Sequence, residues 1–116
     1  MPISQQGEMV VKKQTKERMD LQANVFKALA HFSRIFIVNE LAKGKKCVCE
    51  LTEMIGADKS TVSKHLSVLK QAGIVSDTKD GNKVFYSLEV KCVLNFISCI
   101  DGMIEANIKK MEIYIK

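Results

Sequence analysis

The strongest constraint on this chain is a change of hydrophobic period at Ala72-Gly73. Upstream, apolar residues recur every three or four positions. Downstream come two short β-prone runs, Ile74-Val75-Ser76-Asp77-Thr78 and Val84-Phe85-Tyr86-Ser87-Leu88, which flank Lys79-Asp80-Gly81-Asn82-Lys83. Asp-Gly between such runs is a hairpin signal. Just before the change, a helix opened by Asp58 or Lys59 runs through Ser60 to Gln71 and is closed by Ala72-Gly73. At about 100° per residue, Val62, Leu66 and Leu69 cluster on one side of it, whereas Ser60, Ser63, Lys64, Ser67 and Gln71 fall opposite.

The rest of the pattern is helical. Met9, Val10 and Lys13 to Met19 predict a first helix, and the stripe Ala23, Phe26, Leu29, Ala30 predicts a second. Ser33 reads as the N-cap of a third, Arg34 to Ala42, stopped by Gly44. Cys49 to Ile55 forms a short fourth, stopped by Gly56. Val90 to about Ile113 reads as a long amphipathic helix with Val93, Leu94, Ile97, Ile100, Ile104, Ile108 and Met111 on one broad face. Short helix, turn, helix and hairpin in that order predict a winged helix-turn-helix, mainly α with a small β-hairpin. Residues 1–116 read as a single domain of ordinary size, with a polar, unpatterned stretch at residues 1–6 expected to be disordered. The apolar stripe of the last helix is too wide for one small domain to cover. It predicts a homodimer through the N- and C-terminal helices, with Val93, Ile97, Ile100, Ile104 and Ile108 at the interface.

Charge points to the partner. The net charge is +5, and Lys59 to Ser76 holds Lys59, Lys64 and Lys70 but no Asp or Glu. Small hydroxyls on the open helix face allow close approach to a groove floor, and Lys64 reaches a base edge or phosphate. The DNA-facing set is therefore Lys59, Ser60, Thr61, Ser63, Lys64, His65 and Ser67, with Asn82 and Lys83 at the hairpin tip. Within it His65, about 60° from the core centre, suits a hydrogen-bonded core edge better than a direct contact. His31 reads as structural. No apolar run approaches the roughly 18 residues of a membrane span, and no signal-peptide core opens the chain, so a cytoplasmic protein is expected. No catalytic triad, phosphate loop or carboxylate pair stands out, and the chain is not expected to be an enzyme.

Four cysteines remain: Cys47, Cys49, Cys92 and Cys99. Cys-Val-Cys starts about ten residues upstream of the recognition helix. Side chains two apart point about 200° apart on a regular helix, so Cys47 and Cys49 meet on one ion only where the backbone is extended or the first turn distorted. Lys45, Lys46 and the helix N-terminus favour the thiolate. A thiol oxidoreductase is disfavoured because Cys-x-x-Cys is absent and no βαβ pattern surrounds the pair. Two histidines give little basis for a nitrogen and oxygen site. Cys92 and Cys99 are seven apart, about 10.5 Å along a helix, and cannot bridge each other within one straight helix.

Several blocks together resemble the ArsR/SmtB family of metal-sensing repressors, over roughly Ala28 to Ala106. They are Cys47-Val48-Cys49-Glu50-Leu51, Ser60-Thr61-Val62-Ser63-Lys64-His65-Leu66, Leu69-Lys70-Gln71-Ala72-Gly73-Ile74-Val75, and Asp80-Gly81-Asn82-Lys83-Val84-Phe85-Tyr86-Ser87-Leu88. The resemblance implies a homodimeric repressor that binds double-stranded operator DNA and leaves it when an inducer ion binds. It implies that Ser60, Ser63 and Lys64 face the major groove and that the terminal helices pair the protomers. No cofactor is expected to be permanently bound. The expected inducer is a soft ion at Cys47 and Cys49, As(III) or Sb(III) first, with Cd(II) or Pb(II) as alternatives; oxidants or reactive sulfur are a second class of signal. The arsenic-sensing branch commonly adds a cysteine one turn further on, where this chain has Thr52, and another branch adds cysteines from the N-terminal arm, which has none in residues 1–46. The remaining sulfurs are Cys92 and Cys99: the resemblance allows an ion site on this last helix, which makes either a candidate third ligand, and the alternative for both is a small buried hydrophobic residue.

Overall fold

The computed structural model describes the backbone of residues 5–115 and the side chains of residues 13–112. The elements run α1 (Gln5–Leu29), α2 (Phe32–Leu41), β1 (Lys46–Cys47), α3 (Val48–Ile55), α4 (Lys59–Gln71), β2 (Val75–Asp80), β3 (Lys83–Leu88) and α5 (Cys92–Ile115). This is a winged helix-turn-helix, mostly helical with a small sheet.

Several boundaries differ from the sequence expectation, among them the starts of α3 at Val48 and of α5 at Cys92 in place of Cys49 and Val90. The first two predicted helices are one, because Asp20-Leu21-Gln22 between them contains neither Gly nor Pro to break the hydrogen-bond ladder. Gln5 and Gln6 already belong to it, while residues 1–4 lie outside the described residues. The N-cap of α2 is His31 rather than Ser33: its Nδ1 accepts the Ser33 N–H at 3.0 Å, and Ser33 is buried in the first turn. The hairpin loop is also tighter than the five residues expected. Asp80 pairs with Lys83, leaving only Gly81-Asn82 to turn. Gly81 has φ +65° and Asn82 does not share it, the pattern of a turn with glycine at its first central position.

The sheet is antiparallel in the order β1-β3-β2. β1 has only two residues, too short to leave a periodic signal. It pairs Lys46 with Tyr86 and Cys47 with Phe85, which fastens the first cysteine to the strand that carries the wing. Leu51 of α3, Val62, Leu66 and Leu69 of α4, Ile37 of α2 and Ile74 are fully buried together. The core face assigned to α4 is thus the observed one. Gly56 ends α3 in the left-handed conformation, φ 77°, and lets the chain turn sharply into α4.

The terminal helices are different in kind. The radius of gyration is 19.0 Å, against about 13 Å for a compact domain of this length. α1 and α5 carry long stretches with little cover, residues 13–22 and 101–112 all being exposed. Val93 is turned into the chain's own core at 8% exposure, and Ile97 packs partly against it. Val93 therefore does not belong to the open face on which the sequence placed it. That face consists of Phe96, Met103, Ile104, Ile108 and Met111, all exposed, with Ile100 half-buried beside them. Phe26 of α1 meets Phe96 with ring centroids 5.5 Å apart, so the open faces of the two helices are continuous.

Candidate nucleic-acid interface and thiol pair

The start of α4 carries the polar face. Asp58 is the N-cap, and its carboxylate accepts hydrogen bonds from the Thr61 and Ser60 hydroxyls, the latter at 2.7 Å. These bonds, Thr61 first, hold the Asp58 carboxyl below its usual range. Lys59, Ser60, Thr61, Lys64, Ser67 and Gln71 are exposed, while Ser63 and His65 are half-buried. Asn82 and Lys83 are exposed at the wing tip. Asp58, expected from the sequence only as an opener of the helix, thus also organises this face. At the other end of α4, Lys70 forms an ion pair with Asp77 of β2 at 2.9 Å, which raises the lysine pKa and ties the helix to the wing. Lys70 is therefore not a free cation for DNA.

His65 looks inward. Its Nδ1 lies 3.3 Å from Arg34 Nη1, and its ring is 4.3 Å from that of His31. Arg34 in turn donates to the Ala28 carbonyl at 2.6 Å and the Lys27 carbonyl at 3.3 Å, joining the end of α1 to α2 and α4. Burial, then the charges of His31 and Arg34, lower the His65 pKa from 6.5. The unfolded chain therefore binds more protons than the folded one just below pH 6.5, and stability falls as pH drops through that window. Thermal melts between pH 7.5 and 5.5 should show a decline that His65→Gln makes shallower; parallel curves for both proteins would contradict this role.

The thiol pair lies where strand becomes helix. Cys47 is the N-cap of α3 with an extended backbone, φ −80° and ψ 160°, and Cys49 is the second residue of the helix. This is the extended geometry that lets side chains two residues apart converge. Their sulfurs are joined as a Cys47–Cys49 disulfide. Cys47 Sγ accepts the Glu50 N–H at 3.3 Å, and Glu50 Oε1 accepts the Cys47 N–H at 3.2 Å, a reciprocal cap with sulfur in place of a hydroxyl. Cys47 is 2% exposed, whereas Cys49 is exposed. Both line a cleft of about 120 Å³ with Val48, Lys59, Asn82, Lys83 and Val84. The pair thus adjoins the first residue of the recognition helix and the tip of the wing. That contact could not be read from the sequence, because it depends on β1 pairing with β3.

The other candidate sulfurs are apart. Cys92, the first residue of α5, and Cys99, two turns further on, are both free and exposed. Thr52, where a related branch carries a third cysteine, donates its hydroxyl to the Val48 carbonyl at 2.7 Å. Among the described residues, no three His, Cys, Asp or Glu side chains of one chain gather as a metal-binding group. No helix of the described residues is long and apolar enough to cross a membrane.

Comparison with known proteins agrees with this architecture. Residues 33–77 match the family described as bacterial regulatory protein, arsR family. The chain is 35% identical over 88 residues to the HTH-type transcriptional regulator MJ1325 of Methanocaldococcus jannaschii, covering 75% of this chain and 99% of that protein. It is 34% identical to the arsenic resistance transcriptional regulator ArsR1 of Pseudomonas putida, covering 72% of this chain and 66% of that one. To a cadmium resistance regulatory protein CadC homolog of Staphylococcus aureus it is 41% identical, over 58% of this chain and 56% of the relative. Among solved structures, the homodimeric winged helix-turn-helix DNA-binding domain Mb0332 of Mycobacterium bovis superposes with a TM-score of 0.74 at 25% identity, covering 84% of this chain and 90% of that one. The chain belongs to the arsR family of helix-turn-helix transcriptional regulators.

Proposed function

We propose that this chain is a homodimeric, cytoplasmic repressor that binds operator DNA through α4 and the wing and releases it when a soft ion closes across Cys47 and Cys49. The single observation that carries the reading is the shared cleft: both sulfurs adjoin Lys59 at the start of α4 and Asn82 and Lys83 at the wing tip. Once the pair is reduced to thiolates, an ion held by both sulfurs at about 2.3 Å pulls on the first turn of α3, which carries Cys49 and borders the groups placed to touch DNA. As(III) or Sb(III) is the leading inducer, and Cd(II) or Pb(II) follow from the same thiolate chemistry. The relatives support both, one described by arsenic and another by cadmium resistance. Trivalent arsenic prefers three thiolates, and Cys92 or Cys99 of either protomer is the remaining source. A second reading, release by oxidation or reactive sulfur, is favoured by the Cys47–Cys49 disulfide itself.

The DNA half has its own test. Each phosphate neutralised adds about 0.9 to the slope of log affinity against log salt. Lys83→Ala should lower that slope with little change in sequence preference, whereas Ser63→Ala and Lys64→Ala should weaken the specific site more than random DNA. Equal losses on both DNAs for all three variants would argue against this recognition face.

A further inference from the structure

The two sulfurs of the disulfide differ in access and the cleft beside them is cationic. Cys49 is exposed and Cys47 is 2% exposed, so an incoming nucleophile reaches Cys49 Sγ. The sulfur that leaves, Cys47 Sγ, already accepts the Glu50 N–H at the N-terminus of α3, where developing negative charge is stabilised. Among the described residues the cleft that holds the pair is lined by Lys59 and Lys83 and by no Asp or Glu, and the Glu50 carboxylate beside the pair is engaged by the Cys47 N–H at 3.2 Å.

From these observations we propose that the Cys47–Cys49 bond is a site of thiol–disulfide exchange selective for anionic low-molecular-weight thiols, with the adduct carried on Cys49. The proposal deepens the second of the two readings above and rests on it. In the step, a small thiol loses its proton to solvent and its thiolate attacks Cys49 Sγ. The new sulfur–sulfur bond forms as the Cys47–Cys49 bond breaks, and the electron pair remains on Cys47 Sγ as thiolate. One disulfide replaces another, so no outside oxidant or reductant enters. The acidic groups of the adduct lie between Lys59 and Lys83 and compete there with DNA phosphate. Oxidised protein in contact with an anionic thiol pool would thereby be held off its operator by charge as well as by shape.

The test uses the full chain, oxidised at Cys47 and Cys49, without DNA or metal ion. Exchange is followed by mass spectrometry with 2-mercaptoethanesulfonate, 2-mercaptoethanol and cysteamine, at matched thiolate concentration. The sulfonate should react fastest and cysteamine slowest, with a spread of at least about fivefold. High salt should compress that spread. Lys59→Gln with Lys83→Gln should reduce it to within about twofold at low salt. Rapid alkylation should trap the adduct on Cys49 and the alkyl group on Cys47. Rates independent of thiol charge and of salt, or an adduct on Cys47, would overturn the proposal. Failure here would leave release by oxidation untouched, since that is read on operator DNA with protein oxidised at Cys47 and Cys49 and free of small thiols.

Discussion

Ile104→Glu combined with Ile108→Glu is expected to give a monomer that no longer binds operator DNA. Both side chains are close to half exposed on α5, 45% and 44%, and neither belongs to the core of its own chain. Ile97, by contrast, packs against that core, and replacing it would confuse folding with assembly. Covering the remaining half of each isoleucine contributes about 1 kcal/mol per side chain. A carboxylate in the same place must be stripped of water without a partner, which costs several times as much. The symmetry of a two-fold interface counts each substitution twice. A winged helix on its own keeps one recognition helix, so the loss should reach the specific operator well before it reaches stability. Sedimentation and thermal melting together read this: a folded monomer is the expected result, and a double variant that stays dimeric would place the interface elsewhere.

The second large effect concerns the switch. Cys47→Ser and Cys49→Ser, singly and together, should bind operator as the parent does and lose release by arsenite. Serine preserves the cap at position 47, because its hydroxyl accepts the Glu50 N–H as the sulfur does. Folding is therefore not expected to suffer. What is lost is the thiolate pair, and with it any means of pulling the first turn of α3 against β1 and the wing. Cys92→Ser and Cys99→Ser should behave differently from each other: the one that completes the site weakens release, and the other leaves it unchanged. If the double variant at positions 47 and 49 remained fully inducible, the sensor would have to lie on α5.

Much of this arrangement is legible in the sequence because it rests on local rules. Val62, Leu66 and Leu69 announce the buried face of α4 by their spacing, and all three are fully buried. Gly56 and Gly81 mark the turns where they occur, since a positive φ suits glycine. What could not be read is non-local. β1 has two residues and exists only because β3 is there to pair with it, so the junction of the thiol pair and the wing left no periodic trace. The core-edge place of His65 follows from its angle on α4, but its partners, Arg34 thirty-one residues away and the tilted ring of His31, do not. Ser33 was the obvious cap by residue type, yet a ring nitrogen two residues earlier takes the role. Val93 shows the same limit on α5, where a stripe of apolar residues is shared between the chain's own core and an open face, and spacing alone does not say where one ends.

Chemistry at Cys47 and Cys49 is expected to change operator affinity. The most direct measurement titrates operator DNA with the fully reduced protein, first alone and then with arsenite, cadmium and a mild oxidant in parallel. A coupling of about 1 to 3 kcal/mol, roughly 5 to 150-fold in affinity, is ordinary for linked sites. At least one agent should weaken operator binding within that range while the Cys47, Cys49 double variant keeps its affinity throughout. Unchanged operator affinity for the parent protein with every agent, each shown to be bound or reacted at the pair, would contradict the account.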